Sequence, residues 1–430
     1  MSQTNSRTAI IRDHAKKRDG VAETLLAELL FDLFELDAQN LAINFDQYSL
    51  NSLNGFFESG EEKYFFKFHQ EEGEEKMGGE YYRADILTRA GLPVDQPVMM
   101  STLPGEQILV YKRRFDPRFS DVLRAIDLEP DAAAAVEAVD AERELSEAVL
   151  KVYLETLHPV TPAQVAEEPV HRLFSARLVS EPGATFPGGR YESFYIGKHF
   201  AFPGVSLDWS EFAAARFVIN GIAYEKTVGE LFDDAHSRLA PLRLADAGGV
   251  TAHGDAHNAN VWYRKSEDGA SLAFFDPAFA GEHIPTLLAE VKTTFHNIFA
   301  HPLWLYEPAL AEQKSEARAR YENGTLHANF DWQPSPVRQA LLDVKSTALW
   351  KPLLAELKSR ALLPADWRTV IRLGLFLCPT LVMNLRAGAA THNPTSSLIG
   401  FSTAVMVGSE PTAGADIVTR FLDAINPEHA

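Results

Sequence analysis

The chain has 430 residues, of which 46% are hydrophobic and 23% charged, a composition that suits a globular protein of two lobes or domains. Its 40 basic and 59 acidic residues give a net charge of −19, which disfavours nucleic acid as a partner because such binding requires neutralised phosphates. A single cysteine, Cys378, excludes an intramolecular disulfide and a cysteine-ligated zinc site.

The N-terminal sequence and the hydropathy pattern bear on localisation. Residues 1–7 lack the apolar core of a signal peptide, and no apolar run approaches the length of a membrane span. We therefore expect a soluble, cytoplasmic protein without a membrane partner. Cys378 lies in an apolar stretch beside Pro379, which indicates a packed thiol rather than a nucleophile.

The first predicted element is an amphipathic helix over residues 22–36. Residues 51–58 then read as two strands joined by a tight turn at Asn54 and Gly55, a pair with the chemistry that such turns require. The aromatic run 63–69 predicts a strand with Lys67 inside it. Because burying an unpaired ammonium is costly, Lys67 needs a partner.

Glu80 opens the next segment, 80–87, whose apolar spacing predicts an amphipathic helix. The apolar run 107–114, which contains Val110 and Lys112, predicts another strand. Farther on, a long helix is predicted from Asp131, a suitable N-cap, to about Leu157, and a second over 209–239. The segment between residues 116 and 250 contains no recognisable motif.

The most informative motif is His253-Gly254-Asp255-Ala256-His257-Asn258-Ala259-Asn260, followed by Phe275-Asp276-Pro277. The apolar runs 249–252 and 272–275 predict buried strands that end at these acidic residues. Phosphoryl transfer from ATP requires a carboxylate that accepts the proton of the attacking hydroxyl, and an amide and a second carboxylate that hold magnesium. Asp255, Asn260 and Asp276 stand in the order that these three roles require.

Two other interpretations of the motif are open. Imidazole and carboxylate ligands suit zinc or iron, so His253, Asp255 and His257 could form the centre of a metal-dependent hydrolase. A catalytically inactive, nucleotide-binding protein is the second alternative. It is disfavoured because every expected catalytic group is present in the sequence.

Residues 253–260 resemble the catalytic loop of the aminoglycoside phosphotransferases and choline kinases, which runs His-Gly-Asp-x-His-x-x-Asn. Protein kinases instead have His-Arg-Asp and Asp-Phe-Gly. The resemblance implies an α+β, protein-kinase-like fold with a small antiparallel-sheet lobe and a large helical lobe. The predicted boundaries are an N-terminal helical extension at 1–45, the small lobe at 46–115, and the helical lobe at 116–430 with a large insertion before the catalytic loop.

The resemblance also implies ATP and Mg²⁺ as cofactors and assigns roles to residues. Asp255 is the base, His253 and His257 support its loop, and Asn260 and Asp276 bind the metal. Lys67 contacts the ATP phosphates and pairs with Glu80. The remaining predicted nucleotide-binding residues are Asn54 and Gly55 in the glycine turn, and Val110 and Lys112 in the strand that leads to the adenine-binding hinge.

The predicted acceptor is a small hydroxyl compound. The absence of Ala-Pro-Glu after Asp276 argues against a protein substrate. The acidic net charge favours a neutral or cationic acceptor, such as an amino sugar, an aminoglycoside, a sugar or a choline-like amine. Glu282 and Glu290, downstream of Asp276, are candidate acceptor-binding residues. The remainder is predicted to be helical over residues 286–299, 337–361, 367–385 and 414–425, with a loop at 392–397.

Overall fold

The computed structural model describes residues 6–44, 52–69, 83–101, 103–181, 183–267 and 269–428. Its contacts divide the chain into two compact units. Unit 1 comprises the described residues of 1–85 and 94–116, and unit 2 those of 86–93 and 117–430. No helix within these described ranges is long and apolar enough to cross a membrane.

Unit 1 is built on a five-stranded antiparallel sheet in the order β1-β2-β3-β5-β4. The strands are β1 Gln39–Asn44, β2 Ser52–Ser59, β3 Glu62–His69, β4 Met99–Ser101 and β5 Ile108–Lys112, and the helices are α1 Arg7–Lys17 and α2 Val21–Phe34. The short helix α3, Ala84–Arg89, contains the last residues of the first segment of unit 1 and the first residues of unit 2.

One face of the sheet packs on α1 and α2. Alternate residues of the strands, including Phe57, Phe66 and Phe68, form one buried core with Leu26 and Leu30 of α2. The segment predicted as a separate extension at 1–45 therefore contributes to the same core as the sheet, and its last residues form strand β1 rather than helix.

The predicted tight turn at Asn54 and Gly55 is wrong. Both residues lie inside β2, where they pair with Lys67 and Phe66 of β3. The turn falls at residues 60–61, since Ser59 pairs with Glu62. Gly55 is required by close packing, because a Cβ there would lie 2.2 Å from the carbonyl oxygen of Ala42.

Unit 2 is mainly helical. Its helices before the candidate loop are α4 Phe119–Leu128, α5 Ala132–Thr156, α6 Pro162–Ala166, α7 Gly189–Tyr195, α8 Trp209–Ala214 and α9 Val228–Arg238. Those after the loop are α10 Val291–Thr294, α11 Pro308–Lys314, α12 Pro336–Val344, α13 Lys351–Ser359, α14 Trp367–Val382, α15 Pro394–Gly408 and α16 Ile417–Ala424. The predicted N-cap of α5 is confirmed, because the Asp131 carboxylate accepts from the amides of Ala133 and Ala134.

The strands of unit 2 form one larger sheet and three two-stranded pairs. The strands are β6 His199–Phe202, β7 Val205–Asp208, β8 Arg216–Ile219, β9 Ile222–Ala223, β10 Gly249–Ala252, β11 Val261–Ser266, β12 Gly269–Phe274, β13 Gly281–Pro285, β14 Ala317–Glu322 and β15 Thr325–Phe330. The larger sheet has the order β14-β15-β8-β9, and the pairs are β6-β7, β10-β13 and β11-β12.

The long helix predicted over 209–239 is wrong. The structure places β8 and β9 between two short helices, joined by a two-residue turn at Asn220 and Gly221. Both turn residues have positive φ values, 47° and 88°, as a hairpin turn that matches strand twist requires.

The region after Asp276 is also less regular than predicted. In place of one helix over 286–299, a short 3₁₀ turn is followed by α10 and by a π-helical segment at Phe295–Phe299. The loop predicted at 392–397 contains the start of α15, capped by Asn393. The predicted α+β class, with a small antiparallel sheet and a large helical part, is confirmed.

Candidate active site

Two adjacent strand ends carry the loop of the motif. The buried strand β10 ends at Ala252, and the loop 253–260 returns the chain into β11. Gly254 has a φ of 77°, and a Cβ there would lie 2.5 Å from the carbonyl oxygen of Phe279. Glycine is therefore needed both for its backbone conformation and for the space beside Phe279.

His253 fixes the loop through both ring nitrogens. Its Nε2 lies 2.9 Å from the carbonyl oxygen of Phe275, which can only accept a hydrogen bond, so Nε2 carries the proton. Its Nδ1 accepts from the Asp255 amide at 3.3 Å. Burial lowers the pKa of His253, which keeps the ring neutral, as this pair of bonds requires.

Asn260 connects Asp255 to the strand that precedes Asp276. Its side-chain Nδ2 donates to the backbone carbonyl of Asp255 at 2.8 Å, and its backbone carbonyl accepts from the amide of Phe275 at 3.0 Å. Asp276 follows with a φ of 55°, a left-handed conformation that aspartate tolerates better than most residues. The backbone thus brings Asp255, Asn260 and Asp276 into one neighbourhood.

Lys292 is a site residue that the sequence interpretation missed. Its Nζ lies 3.1 Å from Oδ1 of Asp255, and its side chain is only 4% exposed. It belongs to α10, and the π-helical segment that follows contributes Asn297, whose side-chain oxygen accepts from the amide of Asn258. The broken helix therefore holds the loop at two points.

His257, which lies beside Asp255, and the buried histidines His296 and His301 are uncharged. Burial lowers the pKa of His257 to about 4, and Nε2 of His257 lies 3.8 Å from Oδ1 of Asp255. Burial also holds the pKa values of His296 and His301 well below the ordinary histidine range. Nδ1 of His296 lies 2.5 Å from the Tyr306 hydroxyl. Because these histidines are neutral, the positive charge beside Asp255 comes from Lys292.

The alternative of a metal centre made by His253, Asp255 and His257 is contradicted by these contacts. Both nitrogens of His253 are already hydrogen-bonded to the backbone, and Nδ1 of His257 accepts from the amide of Ala259 at 3.3 Å. In the ranges described, no three His, Cys, Asp or Glu side chains are arranged to hold a metal ion.

Asn260 and Asp276 nevertheless fit the requirements of magnesium. The ion prefers oxygen ligands and is usually held by one or two carboxylates together with substrate phosphates. Because Nδ2 of Asn260 donates to Asp255, the side-chain oxygen of Asn260 faces the other way. One amide oxygen and one carboxylate at neighbouring strand ends therefore form a donor set of the kind that magnesium binds.

The predicted nucleotide residues of unit 1 are partly brought together. Asn54 of β2 and Lys67 of β3 are direct cross-strand partners, so their side chains lie on the same face of the sheet. That face is opposite the one that Phe66 and Phe68 bury against α1 and α2. Glu80, the predicted partner of Lys67, lies outside the described residues.

Val110 and Lys112 both lie in strand β5, where they differ in exposure. Val110 is fully buried and pairs with both β3 and β4, and its carbonyl accepts from Val98, so its polar groups belong to the sheet. The Lys112 side chain is 61% exposed, and its ammonium lies 3.1 Å from Glu62. Strand β5 thus continues through the position predicted as the hinge.

Glu282 and Glu290 lie in different environments. Glu282 is exposed on β13, with its carboxylate 3.9 Å from Arg89. Glu290 is buried, and its two oxygens contact Lys345 at 3.1 Å and the Tyr153 hydroxyl at 2.7 Å. Because both oxygens are used within the core, the structure assigns Glu290 to the packing of unit 2 and contradicts its prediction as an acceptor-binding residue.

No protein-family model and no curated protein matches the chain. Among solved structures, it is similar to a thermostable mutant of aminoglycoside phosphotransferase APH(4)-Ia with AMP-PNP and hygromycin B (12% identity, TM-score 0.44, covering 90% of this chain and 99% of that chain). It is also similar to a microcompartment-associated aminopropanol kinase (11%, 0.43, 94% and 98%). A third is spectinomycin phosphotransferase APH(9)-Ia with ADP and spectinomycin (13%, 0.38, 89% and 98%).

Proposed function

We propose that this protein transfers the γ-phosphoryl group of ATP to a hydroxyl group of a small molecule. The observation that carries the proposal is the connected set Asp255, Asn260 and Asp276, in which Asn260 bonds to the backbone of Asp255 and of Phe275. A proton-accepting carboxylate and a separate pair of oxygen ligands are the groups that phosphoryl transfer requires.

Asp255 is the proposed base. Its backbone is held by His253 and Asn260, and its Oδ1 is buried against Lys292. The side chain is nevertheless 14% exposed, so this exposure belongs to atoms other than Oδ1. We assign Oδ2 as the atom that takes the hydroxyl proton while the acceptor oxygen bonds to the γ-phosphorus and the bond from that phosphorus to the β-phosphate oxygen breaks, releasing ADP.

Asn260 and Asp276 are the proposed magnesium ligands. Held by these two residues, the ion would supply positive charge that offsets the negative charge developing on the phosphate oxygens. The left-handed backbone of Asp276 and the bond from Asn260 to Asp255 hold these two ligands without a contribution from the ion. Lys67, beside Asn54 on one face of the unit 1 sheet, is the proposed contact to the ATP phosphates.

The proposed acceptor is a neutral or cationic compound. Asp255 and Asp276 bring two carboxylates to the site, so a third negative charge on the acceptor is disfavoured. His257 beside Asp255 is neutral and partly exposed, so it offers an uncharged, aromatic surface for a polyol or an amino alcohol.

An inactive nucleotide-binding protein is the competing proposal. The partial exposure of Asp255 argues against it, since a buried and fully paired carboxylate could not reach an acceptor.

The test is ATP consumption against a panel of sugars, amino sugars, amino alcohols and carboxylated alcohols, with each product weighed by mass spectrometry. We expect one phosphate to be added to a neutral or cationic hydroxyl compound. If nucleotide binds but no compound gains a phosphate, the inactive alternative is correct. Reaction with carboxylated acceptors only would refute the proposed acceptor class.

A further inference from the structure

Lys292 forms an ion pair with Asp255, the proposed base. The ammonium is almost fully buried and contacts Oδ1, the carboxylate atom that solvent does not reach. Burying a lysine is costly unless a carboxylate accompanies it. The pair therefore ties the orientation of the Asp255 side chain to a residue 37 positions later in the chain.

Two residues of the helical segment 291–299, Lys292 and Asn297, contact the loop 253–260. Lys292 and Asn297 are five positions apart and would point about 140° away from each other on a regular α-helix. The π-helical segment at Phe295–Phe299 interrupts that geometry, and both residues contact the loop 253–260.

Asp255 is the carboxylate that compensates the positive charge of Lys292. The histidines nearby, His257 and His296, are neutral at ordinary pH because burial lowers their pKa values. Glu290, two residues before Lys292, is engaged by Lys345 and Tyr153. Among the described residues, the ion pair that Lys292 forms is the one with Asp255.

We propose that Lys292 is the positioning residue for the base: it holds Oδ1 of Asp255 so that Oδ2 faces the acceptor hydroxyl. This inference rests on the proposed phosphotransfer function and adds a residue to it. Lys292 acts through Asp255 and need not contact nucleotide or acceptor. Its loss leaves both substrates bound but the carboxylate free to turn away from the hydroxyl.

Three variants separate this role from a general effect on folding. Lys292→Met keeps the length and removes the charge, and Lys292→Ala leaves space for a small amine. Lys345→Met is the matched control, because Lys345 is equally buried in an ion cluster of the same unit but contacts Glu142 and Glu290. The folded fraction of each is measured first, from a urea melt monitored by circular dichroism.

The expected result is a kcat of Lys292→Met reduced about a hundredfold, the size of effect that misplacing a catalytic group produces, with both KM values within about twofold of the parent. Methylamine should restore part of the kcat of Lys292→Ala in a saturable manner. The kcat of folded Lys345→Met should be unchanged and insensitive to methylamine.

Other outcomes overturn the proposal. An unchanged kcat in Lys292→Met, an effect on KM alone, or an equal loss of kcat in folded Lys345→Met would each show that Lys292 does not position the base. Lack of rescue by methylamine at a reduced kcat would show that the charge is not what matters. If the parent protein binds nucleotide but phosphorylates nothing, the proposed function fails, and the role of Lys292 fails with it.

Discussion

Two buried lysines of unit 2, Lys292 and Lys345, differ in the exposure of the carboxylates that they contact. Their side chains are 4% and 3% exposed. Lys345 lies between Glu142 at 2.9 Å and Glu290 at 3.1 Å, and both of these carboxylates are as buried as the lysine itself. Lys292 faces Asp255, whose side chain retains 14% of its exposure.

The difference lies in what remains available for a ligand. Burial alone would lower the pKa of Lys345, but Glu142 and Glu290 outweigh that effect and the pKa is raised. Tyr153 then donates to Glu290, and burial raises its own pKa far above the usual value, so the phenol keeps its proton. The Lys345 cluster is closed by protein groups, whereas the Asp255 pair leaves part of a carboxylate open.

Replacing the open carboxylate should have the largest effect. We expect Asp255→Asn to lower turnover by roughly two to four orders of magnitude, because a positioned base contributes that much. The variant also leaves Lys292 buried without its counter-charge. Its free energy of unfolding should therefore be about 2–4 kcal/mol lower than that of the parent protein. Turnover assays on the folded fraction and urea melts measure the two effects separately.

Adding Lys292→Met to Asp255→Asn provides the control. The double variant removes the buried charge, so it should recover much of the lost stability and none of the lost turnover. A double variant as unstable as the sum of the two single variants would contradict the pairing.

Breaking the closed cluster should affect stability alone. Lys345→Met leaves Glu142 and Glu290 buried without a cation, and removing one partner of a buried ion pair typically costs about 3–5 kcal/mol. We expect this loss in a urea melt, with unchanged turnover per folded molecule. Lys265→Met, which removes an exposed lysine paired with Glu137, is the control and should change neither quantity. A catalytic defect in folded Lys345→Met would remove the distinction between the two clusters.

Acid should destabilise the region around Asp255 through its buried histidines. Burial lowers the pKa of His257 to about 4, so the unfolded chain binds this proton more readily than the folded one. The contribution of neutral His257 to the free energy of unfolding is complete above about pH 6.5. It is lost as the pH falls towards 4, which lowers that free energy by at most about 3 kcal/mol. His257→Asn should show a shallower fall in unfolding free energy over that range; an identical slope would contradict the assignment.

The metal ligands should show a smaller, graded effect. Asp276→Ala should weaken magnesium-dependent binding of a non-hydrolysable ATP analogue by about tenfold or more, because it removes a charged ligand, and Asn260→Ala should weaken it less. Isothermal titration with and without magnesium measures both. Equal analogue affinity of the parent protein with and without magnesium would refute the assignment of these two residues.

The parts of the site that could be predicted from sequence are those that local spacing determines. The order of His253, Asp255 and Asn260 in one loop, and the strand end before Asp276, follow from a short motif between apolar runs. Strand β3 around Lys67 and the N-cap Asp131 also follow from local patterns. Each of these features depends on residues within a few positions of one another.

The errors arose where distant contacts decide the structure. Gly55 is needed because a carbonyl from β1 approaches it, not because of a turn, and Glu290 is engaged by Lys345 and Tyr153 from other helices. The helix predicted over 209–239 overlooked Asn220 and Gly221, a hairpin signal that the sequence contained. Lys292 could have been suspected by the rule applied to Lys67, since it is a lone cation in an apolar segment.

The central claim, that Asp255 is the base of a phosphotransfer reaction, is tested most directly by following ADP and phosphorylated acceptor together. With the acceptor found by the panel, we expect the parent protein to form the two products in equal amounts. Folded Asp255→Asn, with nucleotide still bound, should form both at least about a hundredfold more slowly. Undiminished formation of phosphorylated acceptor by that variant, or ADP formed by the parent with phosphate released to water instead of to the acceptor, would contradict the account.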